Sequence, residues 1–358
     1  MVNATLTTNR IDWVDYAKGI CIILVVMMHS TLGVEKAIGQ TGHLHHFIEW
    51  ATPFRMPDFF LISGLFLARR ISVPWRNYLD TKVLHFAYFY ILWMSIQFAM
   101  KGPGLAMEQG VTAALGSYAL GFVQPFGTLW FIYLLAIFFV VTKALKDVPP
   151  LMVFLAAALL EMLPLHTGWM VLDEFASRYV YFFAGYWLAP VIFKSAEQLW
   201  ARNAFALMAL LYIWSFINSY AVLSGFSTSP LIGLLLGFAG AGAVITTGVL
   251  LARTGLAEWL RYLGAHSIVL YLSFFLFMAV TRAVTLKLIP GINVDVLATV
   301  TTLAGVVGPV LLFWLVRGTR LGFLFKRPDW ISLKQVETGD KPTYSAGHDN
   351  IRQQPQAR

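Results

Sequence analysis

Charged side chains are scarce in this chain of 358 residues, of which only 12% are charged while 58% are hydrophobic. A soluble domain carries about 25% charged residues, so this sequence has too little charge to cover a water-facing surface. The mean hydropathy of +0.68 points the same way. The composition therefore excludes a soluble globular protein and predicts a chain whose main partner is the lipid bilayer.

The few charges that are present give a formal net charge of +8. A basic balance of this kind is also found in nucleic-acid-binding proteins. Here, however, the basic residues lie between apolar runs and in the C-terminal tail, where they are typical topology signals. The sequence therefore predicts no nucleic-acid partner.

Cysteine is nearly absent, since Cys21 is the single one and lies inside an apolar run. One cysteine excludes an internal disulfide and a CxxC metal or redox motif. Histidines cluster at His43, His45 and His46, but no cysteine or carboxylate arrangement with ligand spacing accompanies them. The sequence therefore predicts no metal cofactor.

Long apolar runs fill the chain between its two polar ends. A membrane-spanning helix needs about 20 mostly apolar residues. A shorter apolar stretch, 111–123, is predicted to be re-entrant or interfacial. The sequence thus predicts an all-α, polytopic membrane protein of about ten transmembrane helices. The ten stretches are 18–34, 52–70, 83–100, 127–145, 149–165, 177–194, 203–224, 230–252, 264–286 and 296–317.

The predicted loops are alternately rich and poor in lysine and arginine, and the loop after the second stretch is the first rich one. Because positively charged loops stay in the cytoplasm, this alternation predicts that both termini are cytoplasmic. The predicted organisation is a cytoplasmic segment 1–17, a membrane domain 18–325 and a polar, disordered cytoplasmic tail 326–358.

The first apolar stretch carries two ionisable residues, Lys18 and His29. They are eleven residues apart, so they share one helix face and lie roughly 16 Å apart along the axis. Ionisable groups at membrane depth commonly face a polar cavity. A cation at the cytoplasmic mouth and an imidazole deeper inside suit an anionic ligand that is led toward a base. The alternative is a lysine that snorkels to the interface and a histidine that bonds to a neighbouring helix.

Arg55 and Asp58 lie in the second apolar stretch and are three residues apart, so an intrahelical ion pair is one interpretation. Because this stretch runs antiparallel to the first, both are also predicted near the depth of His29. There Asp58 would orient the imidazole, or Arg55 would stabilise developing negative charge. Arg69 and Arg70 reach the cytoplasmic face, either as phosphate ligands or as topology signals.

These motifs resemble those of the membrane acyltransferase-3 family, which O-acylates glycans of the cell surface and periplasm. RIDWVDYAKGICIILVVMMHS resembles the first-helix motif of that family, with Lys18 where many members have arginine, as in the sugar O-acetylase-like branch. FRMPDFFLISGLFLARR resembles its second-helix signature. GTLWFIYLL, SRYVYFFAGYWLA and LGAHSIVLYLSFF resemble later segments more loosely, and LYLSFF ends in phenylalanine where many relatives have a histidine.

The resemblance implies ten helices, a cytoplasmic acyl-CoA donor and an acceptor hydroxyl on the outer side. It implies that His29 is the general base and that Lys18, Arg69 and Arg70 lie near the CoA. We therefore expect an inner-membrane O-acyltransferase that moves an acetyl or succinyl group, with acetyl-CoA as the first expected donor, to a periplasmic or cell-envelope glycan.

Two alternatives use the same residues differently. One is a proton-coupled transporter or flippase of an anionic or acylated solute, with Arg55, Asp58 and His29 as its binding site. The chain has no inverted repeat with paired broken helices, which many such transporters have. The other alternative is a catalytically silent membrane partner protein.

Overall fold

The structure, a computed structural model, describes residues 11–333. Within this range the chain is helical and contains no β-strand. A π-helical segment, Asp80–Leu84, joins the third and fourth helices without a break. The α-helices are α1 (Asp12–Ile38), α2 (Leu44–Gly64), α3 (Trp75–Leu79), α4 (His85–Gln109), α5 (Val111–Leu120), α6 (Trp130–Ala144), α7 (Pro150–Met162), α8 (Met170–Trp187), α9 (Ala189–Ala201), α10 (Ala204–Leu223), α11 (Pro230–Thr254), α12 (Glu258–Ala265), α13 (Ser267–Leu288) and α14 (Val294–Val316).

Several of these helices are long and apolar enough to cross a membrane, so the chain is a multi-pass membrane protein. The described residues contain six such helical stretches, and α5, α6 and α7 are shorter apolar helices. Each of the ten predicted stretches overlaps a helix, but the count of ten spans and the side of the termini stay predictions. The six stretches are Asp12–Ile38, Trp75–Gln109, Ala204–Leu223, Pro230–Thr254, Ser267–Leu288 and Val294–Val316.

Two predicted stretches have bounds that differ from those of the helices in the structure. The stretch 52–70 was expected to be one helix, but α2 ends at Gly64. There the helix passes so close to α8 that a side chain on Gly64 would collide with the Phe182 carbonyl oxygen. The stretch 177–194 crosses the junction between α8 and α9, because Pro190 fits the first turn of a new helix but not the interior of a continuous one.

Helix α1 lies in the middle of the bundle, where it contacts α2, α11, α12, α13 and α14. Its apolar residues are buried on more than one side, as Tyr16, Cys21 and Ile22 illustrate with 0% exposure. A helix that is apolar all round is stable only when it is surrounded by other helices or by lipid. The central position of α1 places His29 inside the bundle rather than at its surface.

The C-terminal segment docks on the π-helical segment through Asp80. Arg327 donates to the Asp80 carboxylate at 2.8 Å and to its backbone carbonyl at 2.7 Å. The other carboxylate oxygen accepts hydrogen bonds from the Ser332 hydroxyl and the Leu333 N–H. The predicted disordered tail 326–358 therefore begins with a docked segment, and its remainder, 334–358, lies outside the described residues.

Candidate active site

His29 is half-buried on α1, and its ring packs against Phe274 of α13 with ring centroids 5.5 Å apart. Its imidazole makes no hydrogen bond to any residue in the range 11–333. The ring nitrogens are therefore available to a ligand. Of the two sequence interpretations, the one with a histidine bonded to a neighbouring helix does not match this geometry.

Two cations act electrostatically on His29, Arg55 from α2 and Lys101 from α4. Arg55 is 8% exposed, and its Nε and Nη1 have no hydrogen-bond partner in the described part of the chain. The Lys101 ammonium lies over the rings of Phe275 and Phe126, at 4.4 and 5.2 Å. The electrostatic surroundings of His29 thus include Arg55, which the sequence places near the same depth, and Lys101, which lies just beyond the predicted stretch 83–100.

Asp58 is fully buried, and neither carboxylate oxygen has a hydrogen-bond partner within residues 11–333. It forms no ion pair with Arg55, although the two are three residues apart on α2. Its electrostatic effects reach Cys21 of α1 and Tyr181 of α8. The structure therefore places Asp58 on the α8 side of α2 and shows neither the predicted ion pair nor a hydrogen bond to His29.

Lys18 lines a cavity of about 170 Å³ that enters the bundle beside α1. The Lys18 ammonium lies 4.0 Å from the Asp15 carboxylate and 5.8 Å from the ring centroid of Phe66. The other lining residues are mostly apolar and come from α2, α4, α6 and α13. They are Phe59, Ser63, Phe86, Phe131, Ile132, Leu135, Ser267, Ile268 and Tyr271.

Tyr271 connects this cavity to the surroundings of His29. Its hydroxyl donates to the Thr128 carbonyl at 2.6 Å and accepts the Phe131 N–H at 3.2 Å. Its ring lies 6.4 Å from that of Phe274, the residue on which His29 packs. Tyr271 and Phe274 of α13 therefore link the lining of the cavity to the His29 ring.

Further cations surround the mouth of the cavity. Arg69 and Arg70 are exposed in the turns that follow α2. Lys82, in the π-helical segment, interacts electrostatically with both Lys18 and Arg70. Sequence reasoning interpreted Lys82 only as a topology signal, because nothing in one sequence shows that residue 82 folds back next to residue 18.

Lys143 fixes the loop that carries the two arginines. Its buried ammonium donates to the carbonyl oxygens of Ile71 and Val73 at 2.6 and 2.7 Å. An ammonium with two carbonyl acceptors makes charge-assisted hydrogen bonds, which are about twice as strong as neutral ones. This contact holds the loop beside the cavity mouth.

The clustered histidines lie in a separate polar groove at the other end of α1. His45 pairs with Glu35 at 2.8 Å and lies 3.6 Å from Glu49, which is also 3.5 Å from His46. Asp295 accepts the N–H groups of His43 and Leu44. These pairs account for the histidines as partners of carboxylates.

Comparisons with known proteins identify the family of this chain. Residues 11–317 match the family model Acyl_transf_3, described as an acyltransferase domain. The chain is 26% identical over 225 residues to the inner membrane protein YcfT of Escherichia coli K12, an alignment that covers 56% of this chain. The chain spans 62% of the length of that relative. No solved structure matches.

Proposed function

The chain belongs to the acyltransferase family whose model it matches along most of its length, and on that premise we propose that it is an acyl-CoA-dependent glycan O-acyltransferase. It moves an acetyl or succinyl group from cytoplasmic acyl-CoA to a hydroxyl of a periplasmic or cell-envelope glycan. The observation that carries this proposal is an imidazole with no hydrogen bond to any residue in the range 11–333, packed on Phe274 next to Tyr271 of the cavity that Lys18 lines.

The proposal includes the placement of the protein in the cell. The protein is a multi-pass protein of the bacterial inner membrane, like the relative named above. Ten spans with both termini in the cytoplasm put the Lys18 end of the cavity on the cytoplasmic side, where acyl-CoA is made. The alternation of lysine and arginine along the loops supports this orientation.

The cations at the cavity mouth are suited to the phosphate groups of CoA. Lys82 interacts electrostatically with Lys18 and with Arg70, and Arg69 is adjacent to Arg70 in the same loop. Several positive charges grouped at one place favour a polyanionic ligand. The apolar cavity beyond them then receives the acyl end of the donor.

His29 acts as the general base in this scheme. Its imidazole takes the proton of the acceptor hydroxyl, and the resulting alkoxide attacks the thioester carbonyl. The new C–O bond forms as the C–S bond breaks, and the leaving thiolate receives the proton from the imidazolium. Arg55 stabilises the negative charge on the carbonyl oxygen. General-base assistance commonly contributes about 10²–10⁴-fold.

The test is release of free CoA thiol from acetyl-CoA and succinyl-CoA by purified protein with added glycan acceptors. We expect His29→Ala to lower turnover at least about 100-fold. The control is His166→Ala, because His166 is an exposed histidine. Equal turnover by wild type and His29→Ala would refute the assignment of the base. Mass analysis of envelope glycans from a deletion strain would identify the missing acyl group.

A further inference from the structure

Three cations converge on the bundle interior around His29, and we call this region the cationic chamber. It consists of Arg55 from α2, Lys101 from α4 and Arg282 from α13. Arg55 and Lys101 both interact electrostatically with His29, and Arg282 interacts with Lys101. The three residues come from three different helices, so the chamber exists only in the folded bundle.

The Arg282 guanidinium lies about one helical turn beyond His29 along α1. The Arg282 guanidinium lies over Gly33, where any side chain would collide with it. Gly33 follows His29 by one helical turn on α1. On α13, Arg282 follows Phe275 by about two turns on the same face. The Lys101 ammonium lies over that phenylalanine ring, so the two cations line one side of the chamber.

Arg55 gives the strongest evidence for an anionic ligand at this place. It is 8% exposed, and its Nε and Nη1 find no acceptor in the described part of the chain. Buried guanidinium groups in proteins are normally paired, because an unpaired buried charge is costly. Another cation, Arg178, acts electrostatically on it, and no ion pair with a carboxylate involves Arg55 within residues 11–333.

Asp58 forms no ion pair with Arg55, and the other acidic residues of the neighbourhood are engaged elsewhere. Glu174 pairs with Arg178 at 3.1 Å, Glu161 accepts from the Tyr181 hydroxyl at 3.3 Å, and Glu35 pairs with His45. Within residues 11–333, no ion pair involves Arg55, Lys101 or Arg282. Stabilising one oxyanion takes one or two donors, so three uncompensated cations exceed what the acyl transfer needs.

We propose that the cationic chamber binds a carboxylate group of a substrate, so that the protein prefers an anionic substrate to its neutral counterpart. The carboxylate is either the distal group of a dicarboxylic acyl chain such as succinyl, or a group of an acidic acceptor glycan. Both sources offer the same chemistry to the same cations. This inference rests on the proposed acyl transfer, since it assigns the charge of a substrate at that site.

The experiment measures kcat/KM for CoA release by full-length protein in detergent, with two pairs of substrates. One pair is succinyl-CoA against acetyl-CoA, and the other is a uronic-acid oligosaccharide against a neutral one. One charge-assisted hydrogen bond between the chamber and a carboxylate changes relative kcat/KM by about tenfold. We therefore expect at least a tenfold preference for the anionic member of one pair, and the pair that shows it identifies the source.

Variants connect that preference to the chamber. Lys101→Gln and Arg282→Gln should each lower the preference about tenfold, whereas Lys101→Arg should retain it. The matched control is Lys287→Gln, which removes an exposed cation from the same helix as Arg282. Ratios near one for both wild-type pairs, or ratios unchanged in both glutamine variants, would overturn the inference and leave the acyltransferase proposal standing.

A second measurement does not need turnover. Succinate, used as a probe without CoA, should raise the melting temperature of the purified wild type and of Lys287→Gln, but not of Lys101→Gln or Arg282→Gln. If no thioester is cleaved and succinate still protects, the proposed function fails while the anion site is supported. If succinate protects all four proteins equally or none of them, the chamber is not an anion site.

Discussion

His29 and Asp58 lie on adjacent helices in the same part of the bundle, yet their surroundings differ. His29 faces two cations and a phenylalanine ring, whereas Asp58 is enclosed by α1 and α8 and has no hydrogen-bond partner within the described range. A residue at the right depth does not take part in a site unless its side chain also points there. Arg55, three residues before Asp58, does point toward His29.

Replacing Arg55 should affect the rate of acyl transfer more than substrate binding. We expect Arg55→Gln to lower kcat about 10²–10³-fold, the usual effect of removing one donor to an oxyanion. Steady-state kinetics of CoA release would separate kcat from KM. Arg317→Gln is the control, because Arg317 is exposed at the C-terminal end of α14. A change in KM alone would show that Arg55 only binds substrate.

The shared helix face of Lys18 and His29 could be predicted, because both lie on one helix and their spacing fixes the relative direction of their side chains. The depth of Arg55 was also predictable from the antiparallel connection of α1 and α2. Lys101, Tyr271 and Arg282 could not be assigned, because their positions depend on how α4 and α13 pack on α1. Packing partners of apolar helices leave no pattern in a single sequence.

Helices α2 and α8 approach each other most closely where two glycines meet. A side chain on Gly64 would collide with the backbone of α8, and one on Gly185 would collide with the Leu61 carbonyl of α2. Small residues that let helix backbones approach are a common device in membrane bundles. This contact sets the position of α2, and therefore of Arg55, relative to the rest of the bundle.

We therefore expect Gly185→Ala to destabilise the protein, because the new methyl group forces α2 and α8 apart. Overpacking of this kind typically costs about 1–3 kcal/mol. Thermal unfolding in detergent, followed by loss of monodisperse protein, would measure it. Gly116→Ala is the control, since a methyl group there meets open space. Equal melting temperatures for the two variants would contradict the close contact.

Because the C-terminal segment docks on Asp80, substitutions of the two buried aspartates, Asp80 and Asp58, should have different effects on stability. Asp80→Asn should lower the free energy of unfolding by about 1–3 kcal/mol, because the carboxylate accepts hydrogen bonds from Arg327, Ser332 and Leu333. Asp58→Asn should not lower it, because Asp58 has no partner to lose. Chemical unfolding of both variants would test this, and a larger loss for Asp58→Asn would reverse the assignment.

At the scale of the whole molecule, sequence composition predicted the class of fold correctly. A mean hydropathy of +0.68 and the long apolar runs required a helical membrane protein, and the described residues form one. The boundaries were less predictable. Helix α2 ends at Gly64 and Pro190 lies in the first turn of α9, and an average over 20 residues detects neither boundary.

The predicted orientation can be tested with cysteine labelling. Cys21 is fully buried, so the wild-type protein should give little background with a membrane-impermeant maleimide. We expect Thr41→Cys, in the exposed turn after α1, to react in intact cells from the periplasmic side. Arg70→Cys should react only after the cells are opened. Labelling of Arg70→Cys in intact cells would show that the orientation is the opposite of the predicted one.

The contact between Asp80 and Arg327 joins residues that are 247 positions apart. During synthesis, the first half of the bundle enters the membrane long before Arg327 leaves the ribosome. Asp80 can therefore bond to the Arg327 guanidinium only after nearly the whole protein has been translated. A nascent chain arrested before residue 327 would therefore have its helices but would lack the contact that docks the C-terminal segment on the π-helical segment.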